Sequence, residues 1–145
     1  MGPELAVGGV LLREGARGAE VLLIRRGRPP AVGSWTFPGG RVRRGEVLEA
    51  AVARELLEET ALPVRAGPLL EVFEIIGDAH HYVVLDYLVE LAPSVAVVEA
   101  RPGDDAAEVR WQPVERLDEL HVTDAVARIV GRAVALRATP SRQAD

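Results

Sequence analysis

The sequence predicts a single domain of mixed α/β class, and three observations predict it. Short apolar runs rich in Val, Leu and Ile recur between clusters of Gly, Pro and charged residues, the pattern of strands and turns. Residues 46–60 contain neither Gly nor Pro and are dense in helix formers, which makes that segment a helix. No internal repeat or linker interrupts the 145 residues, a length that suits one domain with a real core. The domain is expected over residues 1–138, followed by a polar, frayed tail at 139–145.

The elements follow in order. Residues 5–12 are apolar with two glycines and read as a central strand. Residues 13–19, with Gly15 and Gly18, turn into a second buried strand at 21–24, so the pair reads as a hairpin. Residues 25–33 form a loop rich in Arg, Gly and Pro, and 35–37 a short extended piece before Pro38-Gly39-Gly40. The helix at 46–60 stops ahead of Pro63. Residues 69–76 and 82–91 are strands about a turn at Gly77-Asp78. Residues 92–105 carry Pro93, Pro102, Gly103 and several acids and read as a loop, with a short strand at 95–98. Residues 108–111 form a last strand. A final helix opens at Thr123, a suitable N-cap, and runs to about Arg137.

Composition removes several chemistries. Apolar residues make up 48% and charge is dispersed, as in a globular chain rather than a disordered one. There is no cysteine, which excludes disulfides, thiolate metal sites and a Cys nucleophile. All 17 basic residues are Arg, so a Schiff-base lysine and a phosphate-loop lysine are excluded; Asn is absent as well. The formal charge of −5 argues against a general nucleic-acid surface. Phosphates can still bind where a metal and a few arginines reverse the sign locally. Residues 1–12 have a short apolar run without a basic leader, which reads as a strand rather than a signal peptide or membrane span; the cytoplasm is the default location.

The chemistry is concentrated at residues 40–62, GRVRRGEVLEAAVARELLEETAL. At about 100° per residue from Leu48, Glu55, Glu58 and Glu59 fall within an arc of about 100°, one that also holds Leu48 and Ala51. A solvated face would mix charge signs and avoid apolar neighbours. Ala50, Ala53 and Leu57 lie opposite, so the helix is expected to be sandwiched. Crowded like carboxylates repel unless a cation neutralises them. Oxygen ligands without Cys or a paired-His motif favour Mg²⁺ or Mn²⁺ over Zn²⁺.

This stretch resembles the Nudix box, G-x5-E-x7-R-E-U-x-E-E-x-G-U with U aliphatic. Gly40, Glu46, Arg54, Glu55, Leu56, Glu58, Glu59 and Leu62 fall on its positions, and Ala61 stands where the box has glycine. A left-handed backbone at Ala61 would cost on the order of 1 kcal/mol. Leu23-Ile24-Arg25-Arg26 and Trp35-x-Phe37-Pro38-Gly39-Gly40 resemble the family segment before the box. Glu108-Val109-Arg110-Trp111-x-Pro113, with Leu117, resembles its last strand. The resemblance implies an α/β/α sandwich with a mixed β-sheet, the box helix under one face. It implies that Glu55, Glu58 and Glu59 ligate divalent metal with help from a backbone carbonyl at Gly39 or Gly40. Arg54 would orient Glu55, and Glu46 would be a support or outer-shell ligand. The general base varies in the family between a box Glu and an acid in a later loop; here Asp104 or Asp105 is preferred to Glu108, which belongs to the predicted strand.

Other residues have two readings. Arg25, Arg26 and Arg28 could pair with substrate phosphate or ribose, or be ordinary surface arginines. Trp35 and Phe37 could stack on a base or pack in the core, and Phe37 suits core lining at the pocket edge. His80 and His81 are adjacent on an extended chain, face opposite ways and cannot chelate together. His121, Thr123 and Asp124 sit near where family members read the base. The expected reaction is metal-dependent hydrolysis of the pyrophosphate bond in a nucleoside diphosphate linked to another group, first ADP-ribose, giving AMP and ribose 5-phosphate. The alternatives are a triphosphate pyrophosphohydrolase that cleans oxidised nucleotides, and a non-catalytic nucleotide sensor. The expected partner is a small-molecule nucleotide, without nucleic acid or membrane, for a monomer or homodimer.

Overall fold

The computed structural model describes residues 2–28, 32–93, 99–103 and 106–138. Its organising strand is β1 (Glu4–Gly15). The chain turns at Ala16-Arg17 into β2 (Gly18–Arg26), antiparallel to the end of β1 with Gly15 opposite Gly18. This is the hairpin expected from the two glycines. β3 (Trp35–Thr36) pairs with β2, and β4 (Gly39–Arg41) lies antiparallel to the first half of β1. Helix α1 (Leu48–Thr60) follows. β5 (Val64–Ile76) and β6 (His81–Leu91) form an antiparallel pair. β6 also runs parallel to β1, from Glu4 opposite Tyr82 to Leu11 opposite Val89. β7 (Ala106–Pro113) pairs with β2; a short 3-10 turn (Val114–Glu119) leads to α2 (Asp124–Ala138). The sheet is therefore mixed, ordered β3-β2-β1-β6-β5, with β4 attached to β1 and β7 to β2.

Both faces of the central strands are covered, which explains why their sequences read as continuous apolar runs rather than alternations. Successive strand residues point to opposite faces. Leu11 and Leu22 join the layer under α1, with Ala51, Val52 and Leu56 from the helix. Their neighbours Val10, Val21 and Leu23 join the layer under α2. That helix contributes Val126, Ile129, Val130 and Ala133, the i, i+3, i+4, i+7 stripe of an amphipathic helix. Thr123 caps it, its Oγ1 accepting from the Val126 N–H at 3.2 Å. The α/β/α sandwich is as the resemblance implied.

Three local expectations need correction. The helix begins at Leu48, two residues later than expected. Gly45 adopts φ 80, and the Glu46 N–H closes a turn on the Arg43 carbonyl, so Glu46 stands ahead of the helix. The helix is also not sandwiched: Leu57 is 54% exposed and Ala50 is exposed, so α1 has one buried face and one open one. Strand β5 starts at Val64 rather than 69, running through Gly67-Pro68. It is tolerated there because β5 is an edge strand and its register shifts between Ala66 and Leu69, where a residue without an N–H breaks no ladder. The short strand expected at 95–98, and the tail at 139–145, lie outside the described residues.

Candidate active site

The site is built where β4 meets α1. β4 is held on β1 by pairing of Gly8 with Gly39, Val7 with Gly40 and Ala6 with Arg41. Burial of Ala51, Val52 and Leu56 fixes the helix beneath it and sets which way its acids project. The approach is close. A Cβ on Gly40 would lie 2.5 Å from the Glu55 carboxyl carbon, so only glycine lets that carboxyl rest against the β4 backbone.

Arg54 binds the acidic wall together. Its Nε and Nη2 donate to the two Glu46 oxygens at 2.6 and 2.9 Å. Nη1 donates to Glu55 Oε1 at 2.8 Å and to Glu58 Oε2 at 3.2 Å, and Nη2 also reaches the Arg41 carbonyl at 3.0 Å. A guanidinium has five N–H donors, and all five are matched to these acceptors. Glu46 accepts in addition from the Arg43 N–H at 3.0 Å. Arg54 and that N–H hold the Glu46 carboxyl down at about 2, well below the carboxylate range, while Glu46 raises Arg54. Glu55 moves the other way: burial raises it, and Arg54 offsets part of the rise. Glu59 accepts from the Gly39 N–H at 3.2 Å, so it faces the β4 backbone.

Glu55, Glu58 and Glu59 form one wall of a cleft of about 570 Å³, with Gly39 and Gly40 beside them and Arg26, Arg28, Arg41 and Arg43 around the rim. The other half is apolar, from Phe37, Phe73, Ile75, Val84 and Val126. Two parts of the acidic constellation thus separate. Glu46 does not line the cleft; both its oxygens are committed to Arg54, which makes it the support of that arginine. Of the two aromatic candidates, Phe37 lines the cleft, whereas Trp35 is 7% exposed within the α2-side core with Arg110 stacked on its ring at 4.8 Å. His121, Thr123 and Asp124 do not line it either. His81 Nε2 meets Glu74 Oε2 at 2.7 Å while His80 stacks on Tyr82, so the two histidines diverge as strand geometry requires.

The all-oxygen donors on this wall suit a hard divalent cation. Among the described residues no three His, Asp or Glu side chains stand close enough to enclose an ion by themselves. A cation here would complete its shell with the Gly39–Gly40 backbone and phosphate oxygens, as Mg²⁺ commonly does. The loop after β6 returns to the same wall. The Gly103 N–H bonds the Glu59 carbonyl at 2.9 Å and the Arg101 N–H the Thr60 carbonyl at 2.8 Å, which anchors the chain at the end of α1. Asp104 and Asp105, next in sequence, lie outside the described residues.

One cleft residue escapes the spacing arguments. Asp86 on β6 is 2% exposed and lines the apolar half. Burial, with the charge of Glu71 adding to it, pushes its carboxyl up to about 7. The signal for it in the sequence is a lone carboxylate within the apolar run of β6, HYVVLDYLVEL.

Comparison with known proteins agrees with this architecture. The NUDIX domain family model matches residues 2–130. The chain belongs to the Nudix family. An ADP-ribose pyrophosphatase of Methanocaldococcus jannaschii is 31% identical over 120 residues, 81% of this Nudix chain and 66% of that protein. A putative 8-oxo-dGTP diphosphatase 2 of Mycobacterium tuberculosis is 45% identical over 62 residues, 42% of this chain and 41% of that protein. The Nudix chain thus spans at most about two thirds of these relatives. The crystal structure of a MutT NUDIX hydrolase from Burkholderia pseudomallei superposes with a TM-score of 0.73 at 29% identity, covering 91% of this chain and 98% of that one. Among the described residues no helix is long and apolar enough to cross a membrane.

Proposed function

We propose that this Nudix domain hydrolyses the pyrophosphate bond of a nucleoside diphosphate joined to a second group, with ADP-ribose, cut to AMP and ribose 5-phosphate, as the first substrate. The observation that carries the reading is the two-part cleft: carboxylates of Glu55, Glu58 and Glu59 on one wall and arginines at the rim, opposite an apolar half. A phosphate chain belongs at the first part and a base at the second. A divalent Mg²⁺ or Mn²⁺ ion, when bound, supplies charge neutralisation and a water of lowered pKa. Glu55, Glu58 and Glu59, with the Gly39–Gly40 backbone, would hold it. Arg54 keeps Glu55 and Glu58 oriented, and Glu46 keeps Arg54 in place. Arg26 and Arg28 attract the substrate's phosphates from the rim, and Phe37 offers a face to the base. Asp104 or Asp105 accepts the proton of the attacking water; the anchoring of Gly103 on Glu59 supports that role.

The M. jannaschii relative's name supports ADP-ribose. The mycobacterial relative's name supports a second reading, a triphosphate pyrophosphohydrolase acting on oxidised nucleotides. Retention of all the box carboxylates weighs against a non-catalytic sensor. A panel of ADP-ribose, other nucleoside diphosphate conjugates and triphosphates, each with Mg²⁺ and with Mn²⁺ and with products identified by mass, tests the assignment. Efficient release of AMP and ribose 5-phosphate is expected. Negligible ADP-ribose turnover beside rapid pyrophosphate release from a triphosphate would replace the first reading by the second.

A further inference from the structure

Asp86 occupies a position that the hydrolytic machinery does not use. It stands opposite Gly8 in the parallel β1–β6 ladder, and Gly8 is in turn opposite Gly39 in the β1–β4 ladder. Asp86 is therefore level with the acidic wall but two strands away, about 10 Å at ordinary strand spacing. Its carboxyl fills the space over Gly8: a Cβ there would lie 2.2 Å from Asp86 Oδ1. Among the described residues no hydrogen bond reaches this carboxyl. No fully enclosed side-chain oxygen or nitrogen among them lacks a partner, so the Asp86 oxygens must touch the cleft. Val84, Phe73 and Val126 give the cleft lining on this side its apolar character, while Glu71, opposite Asp86 in the β5–β6 ladder, brings a charge that is itself paired with Arg128 and Arg132.

A carboxyl 2% exposed, without a hydrogen-bond partner among the described residues and open to the apolar side of the cleft, is costly to the fold alone. The cost is removed when a ligand supplies the missing hydrogen bond. We propose that Asp86 is the residue that selects the base, its carboxyl accepting from the exocyclic amino group of an adenine-type heterocycle seated between the apolar walls. The inference rests on the reading of the cleft as a nucleotide site and goes further by naming the base. An amino N–H beside a ring-nitrogen acceptor also matches the donor and acceptor of a protonated carboxyl. Burial, which favours the neutral acid, supports that pairing.

The test compares binding of AMP with that of purine riboside 5′-monophosphate, which is AMP without its 6-amino group, by calorimetry on the full chain. No turnover is needed. Wild-type protein should prefer AMP by about tenfold to a hundredfold, the range of one good base-reading pair. Asp86→Asn keeps an acceptor and a donor in the same shape and should keep the preference. Asp86→Leu should bring the two affinities together. Gly8→Ala, which drives a methyl group into the carboxyl, should displace it and reduce the preference while residue 86 remains aspartate. Thermal unfolding of each variant establishes that it is folded. A wild-type ratio near one, no binding of either compound, or a preference that survives Asp86→Leu overturns the proposal. If ADP-ribose is not cut but the AMP preference follows Asp86, the substrate reading fails and this inference stands. If ADP-ribose is cut and the preference ignores Asp86, only this inference fails.

Discussion

Arg54, half-buried, and Asp86, buried, show two opposite ways an ionisable group is tolerated away from bulk water. Arg54 satisfies every donor it has, and in doing so fixes the directions of Glu55 and Glu58. Glu58 itself is half-exposed, and its pairs with Arg54 and Arg43 are those of a surface residue. Exposed ion pairs contribute about 0–1 kcal/mol, so Glu58→Gln should barely change the unfolding midpoint. If the wall binds catalytic metal, the same change should reduce kcat by orders of magnitude. Unchanged turnover in Glu58→Gln would contradict the assigned site. Asp86, by contrast, has no hydrogen-bond partner among the described residues and holds its proton up to about 7 against an ordinary 3.8. The native state therefore binds this proton more tightly than the unfolded chain does. Its penalty is absent below about pH 4, grows as pH rises through 7 and is constant above, reaching on the order of 4 kcal/mol. The difference in unfolding free energy between Asp86→Asn and wild type should accordingly shift in the variant's favour from pH 4 to pH 8. Chemical denaturation at several pH values reads it, and a difference independent of pH would show that Asp86 does not titrate with folding.

At the scale of elements, the end of α1 is the most informative. Ala61 adopts φ 65, ψ 12 and donates its N–H to the Leu57 carbonyl, the left-handed C-terminal cap that glycine normally fills. The box departs from its pattern at this residue, yet the turn keeps its shape, because the surrounding bonds over-determine it. Thr60 Oγ1 donates to the Leu56 carbonyl at 2.6 Å and accepts from the Leu62 N–H, while Leu62 is buried. The strain is the stored cost of keeping Ala61 there. Ala61→Gly should relieve it and stabilise the protein by up to about 1 kcal/mol, with the acidic wall unchanged. A destabilised Ala61→Gly protein would mean that glycine's extra freedom in the unfolded chain outweighs the relief. The start of α1 follows from the opposite cause. Glu46 is helix-compatible by propensity, but its side chain is drawn to Arg54 and to the Arg43 N–H, so the chain turns before Leu48.

The whole molecule is a sheet with an independent core layer on each face. Leu56 in one layer and Ile129 in the other are both fully buried and belong to separate core clusters on opposite faces of the sheet. Leu56→Ala should cost about 2–5 kcal/mol and Ile129→Val about 1 kcal/mol, and the double variant should be additive within about 0.5 kcal/mol. A larger coupling would mean that the two layers act as one core. The cleft belongs to this scale too: it takes lining from α1 and α2 alike, and from strands that β1 brings together.

The sequence by itself determined the class of fold, the position of both helices, the hairpin and the acidic box, because those depend on local propensity and on residues a few positions apart on one helix. The tertiary structure alone decided which box residues face the cleft and which serve Arg54. It also buried Trp35, and it set Asp86 over Gly8, 78 positions earlier in the chain. Such pairings are fixed by strand register and by how helices cover the sheet, and neither is encoded in the spacing of neighbouring residues.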